Sequence, residues 1–128
     1  MMRRLFVAAL LLLLAGLTAV IPLSNAQEGK AGAAPAYSDV AAIFQTRCIT
    51  CHAGSRPAAG LHLDTYANVM KGVSNGPIVL PGNPAQSELV KKIKGISKPR
   101  MPKNGPPWLT ADQISLIETW IAAGASEK

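Results

Sequence analysis

The sequence predicts a small all-α domain behind an N-terminal leader, and three observations predict it. Apolar residues recur at helical spacing, glycine and proline interrupt the chain too often for long elements, and no βαβ pattern appears. The last segment, from Leu109 to Gly124, carries start and stop signals of a helix at both ends.

The elements follow in order. Met1-Met2-Arg3-Arg4, an apolar run from Leu5 to Ile21, Pro22 and the small-residue stretch Ser24-Asn25-Ala26 have the three-part order of a secretory signal, so residues 1–26 are read as one, cleaved after Ala26. The run is just long enough to span a bilayer, so an uncleaved anchor is the alternative, and membrane association is expected only in that case. Residues 27–36 are Ala, Gly and polar without periodicity and read as a flexible linker. The domain proper is predicted over 37–125.

Ser38 can cap a first helix with Asp39 in its first turn, and Val40, Ile43, Phe44 and Cys48 follow at helical spacing. Phe44, one turn before Cys48, is expected to face the same interior, and the helix to end before Gly54 and Pro57. Leu61-His62-Leu63 alternates, which puts the leucines inward and His62 outward. Asp64 is the predicted cap of a short helix reaching Lys71 and closed by Gly72. Gly76-Pro77 and Pro81-Gly82 mark a loop; Asn83 is the predicted cap of a third helix, with Pro84 at its first position, Leu89, Val90 and Ile93 on its apolar face and Gly95 at its end. Residues 98–107 hold four prolines and one glycine in ten positions and can be neither helix nor strand. In the last helix, Thr110 and Gln113 make a capping box, Leu109 and Ile114 a hydrophobic staple, Gly124 a C-cap, and Ile114, Ile117 and Ile121 a stripe.

Loss of 26 residues from the 128 leaves 102, a domain whose core is marginal without help. The net charge of +6 falls to +4, because Arg3 and Arg4 leave and 11 Lys and Arg remain against 7 Asp and Glu. Lys91, Lys92, Lys94, Lys98, Arg100 and Lys103 fall within thirteen residues. Such a cluster is either a solvated face or a patch that steers an acidic protein partner. No aromatic residue interleaves it and no nucleic-acid motif is present, so nucleic acid is not an expected partner.

One stretch names a chemistry. Cys48-Ile49-Thr50-Cys51-His52 is Cys-x-x-Cys-His, the attachment signature of a c-type haem. The spacer lets two sulfurs reach neighbouring vinyl groups of one porphyrin, and His52 then supplies one axial iron ligand. Disulfide exchange would want a βαβ setting, and zinc four ligands from a chain with only two Cys and two His. Export and the motif support each other, since attachment takes place where both chain and haem have been delivered. The other axial ligand is expected from Met101, Met70 or His62, an open position being the remaining alternative: Met70 lies on a predicted helix, His62 outward, while Met101 is held between Pro99 and Pro102. Trp108, beside this loop, is expected over the haem edge, or donating its indole N–H to a propionate, or in the core. The proximal imidazole N–H needs a backbone acceptor, expected from the Pro57 to Leu61 stretch.

A motif-bearing first helix, short middle helices, a proline-bounded Met loop and a terminal helix with an aromatic residue together resemble class I c-type cytochromes. More narrowly, Gly60-Leu61-His62-Leu63-Asp64-Thr65-Tyr66, Pro81-Gly82-Asn83-Pro84 with Ser87 and Leu89, Met101-Pro102, Leu109-Thr110 and Trp120-Ile121-Ala122-Ala123-Gly124-Ala125 are similar to the planctomycete-type cytochrome c domain. Ala53 stands where many relatives have glycine, and Lys103 replaces a second proline after the Met. The resemblance implies a small class I cytochrome c fold of about four to five short helices around one covalently attached haem c, with His52 and Met101 on the iron. It implies a periplasmic or otherwise exported electron carrier rather than an enzyme, with redox proteins as partners docking near the basic cluster. A haem subunit of a dehydrogenase or oxidase, and a haem sensor or peroxidase, are the alternatives.

Overall fold

The structure is a computed structural model that describes residues 33–128, so the leader and most of the linker lie outside it. Four α-helices follow in chain order: α1 (Tyr37–Arg47), α2 (Tyr66–Lys71), α3 (Glu88–Lys94) and α4 (Ala111–Ala122), with a 3-10 turn at Ala58–Gly60 before α2. No strand forms among the described residues, which are all-α as their spacing predicts. None of the described helices is long and apolar enough to cross a membrane.

The longest helices are the ones that pack. Val40, Ile43 and Phe44 of α1 and Ile117, Trp120 and Ile121 of α4 are buried, and α4 packs against both α1 and α3. Burial of each large apolar side chain contributes roughly 1.5–3 kcal/mol, so these two faces carry much of the fold. Leu89, Val90 and Ile93 are the buried face of α3, as their spacing predicts. Between α2 and α3, the irregular segment delivers Ile78 and Val79 to the same core.

The starts of α1, α2 and α3 differ from the sequence expectation. Helix α1 is capped at Ala36, not Ser38, because the Asp39 carboxylate reaches back to the Ala36 N–H at 3.0 Å. In α2 the cap is Thr65, whose hydroxyl accepts from the Asn68 N–H at 3.2 Å, while Asp64 accepts instead from the Asn68 side chain at 2.8 Å. That bond is the first cause holding the Asp64 carboxyl below its ordinary range. Asn83 opens a separate turn, accepting from the Gln86 N–H at 3.3 Å, and α3 begins only after Ser87. Ser87 is wholly buried, and its hydroxyl donates to the Asn83 carbonyl at 2.9 Å and accepts from the Leu80 N–H at 2.8 Å.

Helix ends agree better with expectation. At the start of α4, Thr110 and Gln113 exchange both capping-box bonds, at 3.0 and 3.2 Å. At its end, the Gly124 N–H donates to Ile121 O at 3.0 Å and the Ala125 N–H to Trp120 O at 2.9 Å, a Schellman closure around a left-handed glycine. The chain beyond is held by Tyr66, whose hydroxyl donates to Ala125 O at 3.0 Å, and by the Trp120 indole N–H, which donates to Ser126 O at 2.8 Å. Gly72 closes α2 at φ +73°, where a side chain would meet the Gly76 carbonyl at 2.5 Å.

Candidate functional site

Cys48 is the C-cap of α1, and its N–H donates to Phe44 O at 2.8 Å. The chain then continues to turn: the N–H groups of Cys51 and His52 both donate to Cys48 O, at 3.1 and 3.0 Å. This local winding gathers Cys48, Cys51 and His52. A longer tie fixes the turn to the domain, since His52 O accepts from the Leu63 N–H at 2.8 Å.

The three residues line a cavity of about 780 Å³, within the range of small-molecule and cofactor sites, and Met101 lines it too. Its walls are largely apolar, with Leu61, Leu63, Ile78, Leu89, Ile93 and Leu109 among them, while Arg47, Lys92 and Lys103 add cationic groups and Glu88 one carboxylate. The two cysteines are free and unequal: Cys51 is exposed, Cys48 half-buried. Burial pushes the Cys48 thiol up to about 11, against a smaller downward pull from Arg47 and a small upward one from Cys51.

Of the three candidates for a second axial ligand, Met101 alone lines the cavity. Met70 packs against the core. His62 lies half-exposed, with Nδ1 at 4.0 Å from the Asp64 carboxylate. Met101 is less independent of hydrogen bonding than its proline neighbours suggest. Its N–H donates to Lys92 O at 3.0 Å, so the C-terminal turn of α3 holds the loop at this residue.

Three further expectations change. Phe44 is fully buried in the core and does not line the cavity, because the α1 face it occupies packs on α4. Trp108 neither lines the cavity nor enters the core; it is 38% exposed under the Arg100 guanidinium. The Pro57 to Leu61 stretch does not receive the His52 imidazole: Nδ1 is buried without a hydrogen-bond partner, and the Pro57 and Ala58 carbonyls instead accept from Gly60 and Leu61 in the 3-10 turn. Sequence reasoning missed Arg47, which lines the cavity and donates to the Pro107 carbonyl. Its only signal was its place directly before Cys48.

A small all-α domain with two thiols, an imidazole and a thioether around one apolar cavity has the make-up of a c-type haem protein. Residues 48–105 match the family model described as Planctomycete cytochrome C, so this segment is similar to a cytochrome c domain of that family. The match runs from the first cysteine of the motif to just beyond Met101, and a domain of this kind implies covalently bound haem c. Neither curated proteins nor solved structures give a match.

Proposed function

We propose that the protein is an exported monohaem c-type cytochrome that carries single electrons between redox proteins, with the iron held by His52 and Met101. The observation that supports this reading is that Cys48, Cys51, His52 and Met101 all line one cavity, although Met101 is 49 positions beyond His52 in the sequence. The residues present suit the group: two thiols would form the thioethers, the His52 imidazole and Met101 thioether would hold the iron, and the apolar wall would surround the ring. When bound, haem supplies reversible one-electron chemistry at its iron.

The chain's own residues then do the rest. Cys48 and Cys51 tether; the apolar wall excludes water and lowers the local dielectric; Arg47, Lys92 and Lys103 offer positive charge to acidic groups of the ligand. A thioether ligand stabilises the reduced metal relative to bis-imidazole ligation and so raises the potential. His52 and Met101 would both be spent on holding the iron, which suits a carrier rather than a catalyst. The basic cluster is read as the docking side for an acidic redox partner, with Lys98 and Lys103 exposed, while Lys94 is bonded to Glu118 at 2.8 Å and Lys92 lies 3.7 Å from Glu88.

The test is the mass of the secreted protein together with its oxidised and reduced spectra. One haem added to a chain beginning at Gln27, with a far-red ferric band that disappears in Met101→Ala, is the expected result. An unmodified mass refutes the reading as a whole, and a band that persists in the variant removes Met101 from the iron.

A further inference from the structure

We infer that Arg100 and Trp108 form a clasp that holds the Met101 loop closed and so governs how readily an outside ligand displaces the Met101 sulfur. This rests on Met101 being an iron ligand. Arg100 immediately precedes it, and its guanidinium carbon stands 4.2 Å from the centroid of the Trp108 ring. Its Nε also donates to the Ile93 carbonyl of α3 at 3.3 Å. The loop is thus joined across Met101, from its first half at Arg100 to its far end at Trp108.

Two glycines make room for this stack. A side-chain carbon at Gly95 would lie 2.9 Å from Arg100 Cδ and 3.2 Å from its Cγ, so the arginine stem lies against the bare end of α3. On the other side, a side-chain carbon at Gly105 would lie 2.3 Å from the Trp108 indole, a separation no real pair sustains. The indole therefore rests on the loop's own backbone.

The clasp matters because little else holds this segment. No residue from Ser97 to Trp108 is buried, so core packing does not close the loop. Its attachments to the rest of the described domain are few: Ser97 at its start, bonded to the Lys91 carbonyl and the Glu88 carboxylate, the Met101 N–H to Lys92 O bond, the Arg47 bond to the Pro107 carbonyl, the contact of Lys92 with the Lys98 carbonyl, and Arg100. Neither Arg100 nor Trp108 lines the cavity, so both are positioning residues that act on Met101 from behind. A cation over an indole at a half-buried site corresponds to roughly a tenfold bias toward the closed loop, and a competing ligand gains that factor when the bias is removed.

The experiment titrates the ferric holoprotein with imidazole and follows loss of the far-red sulfur band. Arg100→Ala and Trp108→Ala should each bind imidazole roughly tenfold more tightly than the parent, while Arg100→Lys and Trp108→Phe, which keep a cation over a ring, should stay within about threefold. Affinities within twofold of the parent in both alanine variants overturn the clasp. Conservative variants as weak as the alanine ones overturn it too, because they point to general loosening. Met101→Ala separates the two ideas: a band that persists there removes the ligand assignment and the clasp with it, whereas a band lost there alongside parent-like alanine variants removes the clasp alone. If the alanine variants do not mature, Gly105→Ala displaces the indole without altering Arg100 or Met101, and an unchanged imidazole affinity in it is equally fatal.

Discussion

In the chain made without haem, the two motif thiols should react at different rates, and the difference can be worked out. The Cys48 thiol is pushed up to about 11 from an ordinary 9.0, chiefly because burial disfavours its thiolate. At pH 8 that leaves about one molecule in a thousand as thiolate, roughly ninety times less than a thiol titrating at 9. A more basic thiolate is also the better nucleophile, and a Brønsted slope of about 0.4–0.5 over two units restores some six- to tenfold. Alkylation of Cys48 should therefore run about tenfold slower than that of an unhindered cysteine, before any steric shielding, and Cys51, which is exposed, should be labelled first. A pulse of iodoacetamide between pH 7 and 10.5, read by peptide mass spectrometry, measures both rates. The sign of the linked stability follows. The folded value lies above the unfolded one, so the contribution is complete below about pH 9 and is lost as pH rises toward 11, on the order of 2 kcal/mol in all. Equal labelling of the two cysteines at pH 8, or a Cys48 rate that levels off below pH 9, would refute the reasoning.

Two further outcomes are expected. Ser87→Ala removes the buried hydroxyl that accepts from the partly buried Leu80 N–H, a loss of about 1–3 kcal/mol, which in a domain of this size lowers the thermal midpoint by roughly 4–24 °C; a shift under about 2 °C in a circular-dichroism melt would show that the N–H finds another partner. If the basic cluster steers an acidic partner, stopped-flow electron-transfer rates should fall as ionic strength rises. Lys98→Gln with Lys103→Gln should remove more of that slope than Lys94→Gln, whose ammonium is already bonded to Glu118, and a flat profile in the parent protein would end the steering idea.

What was legible in the sequence was what neighbouring residues decide among themselves. The α4 helix can be written down from Thr110, Gln113 and Gly124 because each signal is completed within a few positions, and both capping bonds and the closing turn are present. The attachment motif was legible for the same reason, since one turn of chain after α1 gathers its three side chains. The other helix starts were less so, because several polar residues compete for the same N–H groups. Asp39 wins for Ala36, Thr65 for Asn68, and Ser87 turns inward to serve Leu80, which lies before the helix it caps. None of those choices follows from propensity alone; each depends on where the neighbouring backbone has already been placed.

The far side of the cavity shows the other kind of illegibility. Pro99 and Pro102 mark Met101 as stiffly held, but not what it is held against. That is the end of α3: the Lys92 carbonyl takes the Met101 N–H, the Ile93 carbonyl takes Arg100, and Gly95 leaves space for the arginine stem. A helix end has carbonyls without full intrahelical partners, and here the Met loop takes the Ile93 carbonyl and shares the Lys92 carbonyl with the Gly95 N–H, while being positioned by both. Five basic residues of the cluster identified in the sequence, from Lys91 to Arg100, therefore lie on or beside the very turn that carries Met101, and two of them, Lys92 and Arg100, anchor the loop instead of only presenting charge. Arg100 in particular is committed to Trp108 and Ile93, so a partner seeking cations on this side meets Lys98 and Lys103 first. A patch that reads as uniform charge in one dimension divides, once folded, into residues that hold the loop and residues left to face solvent.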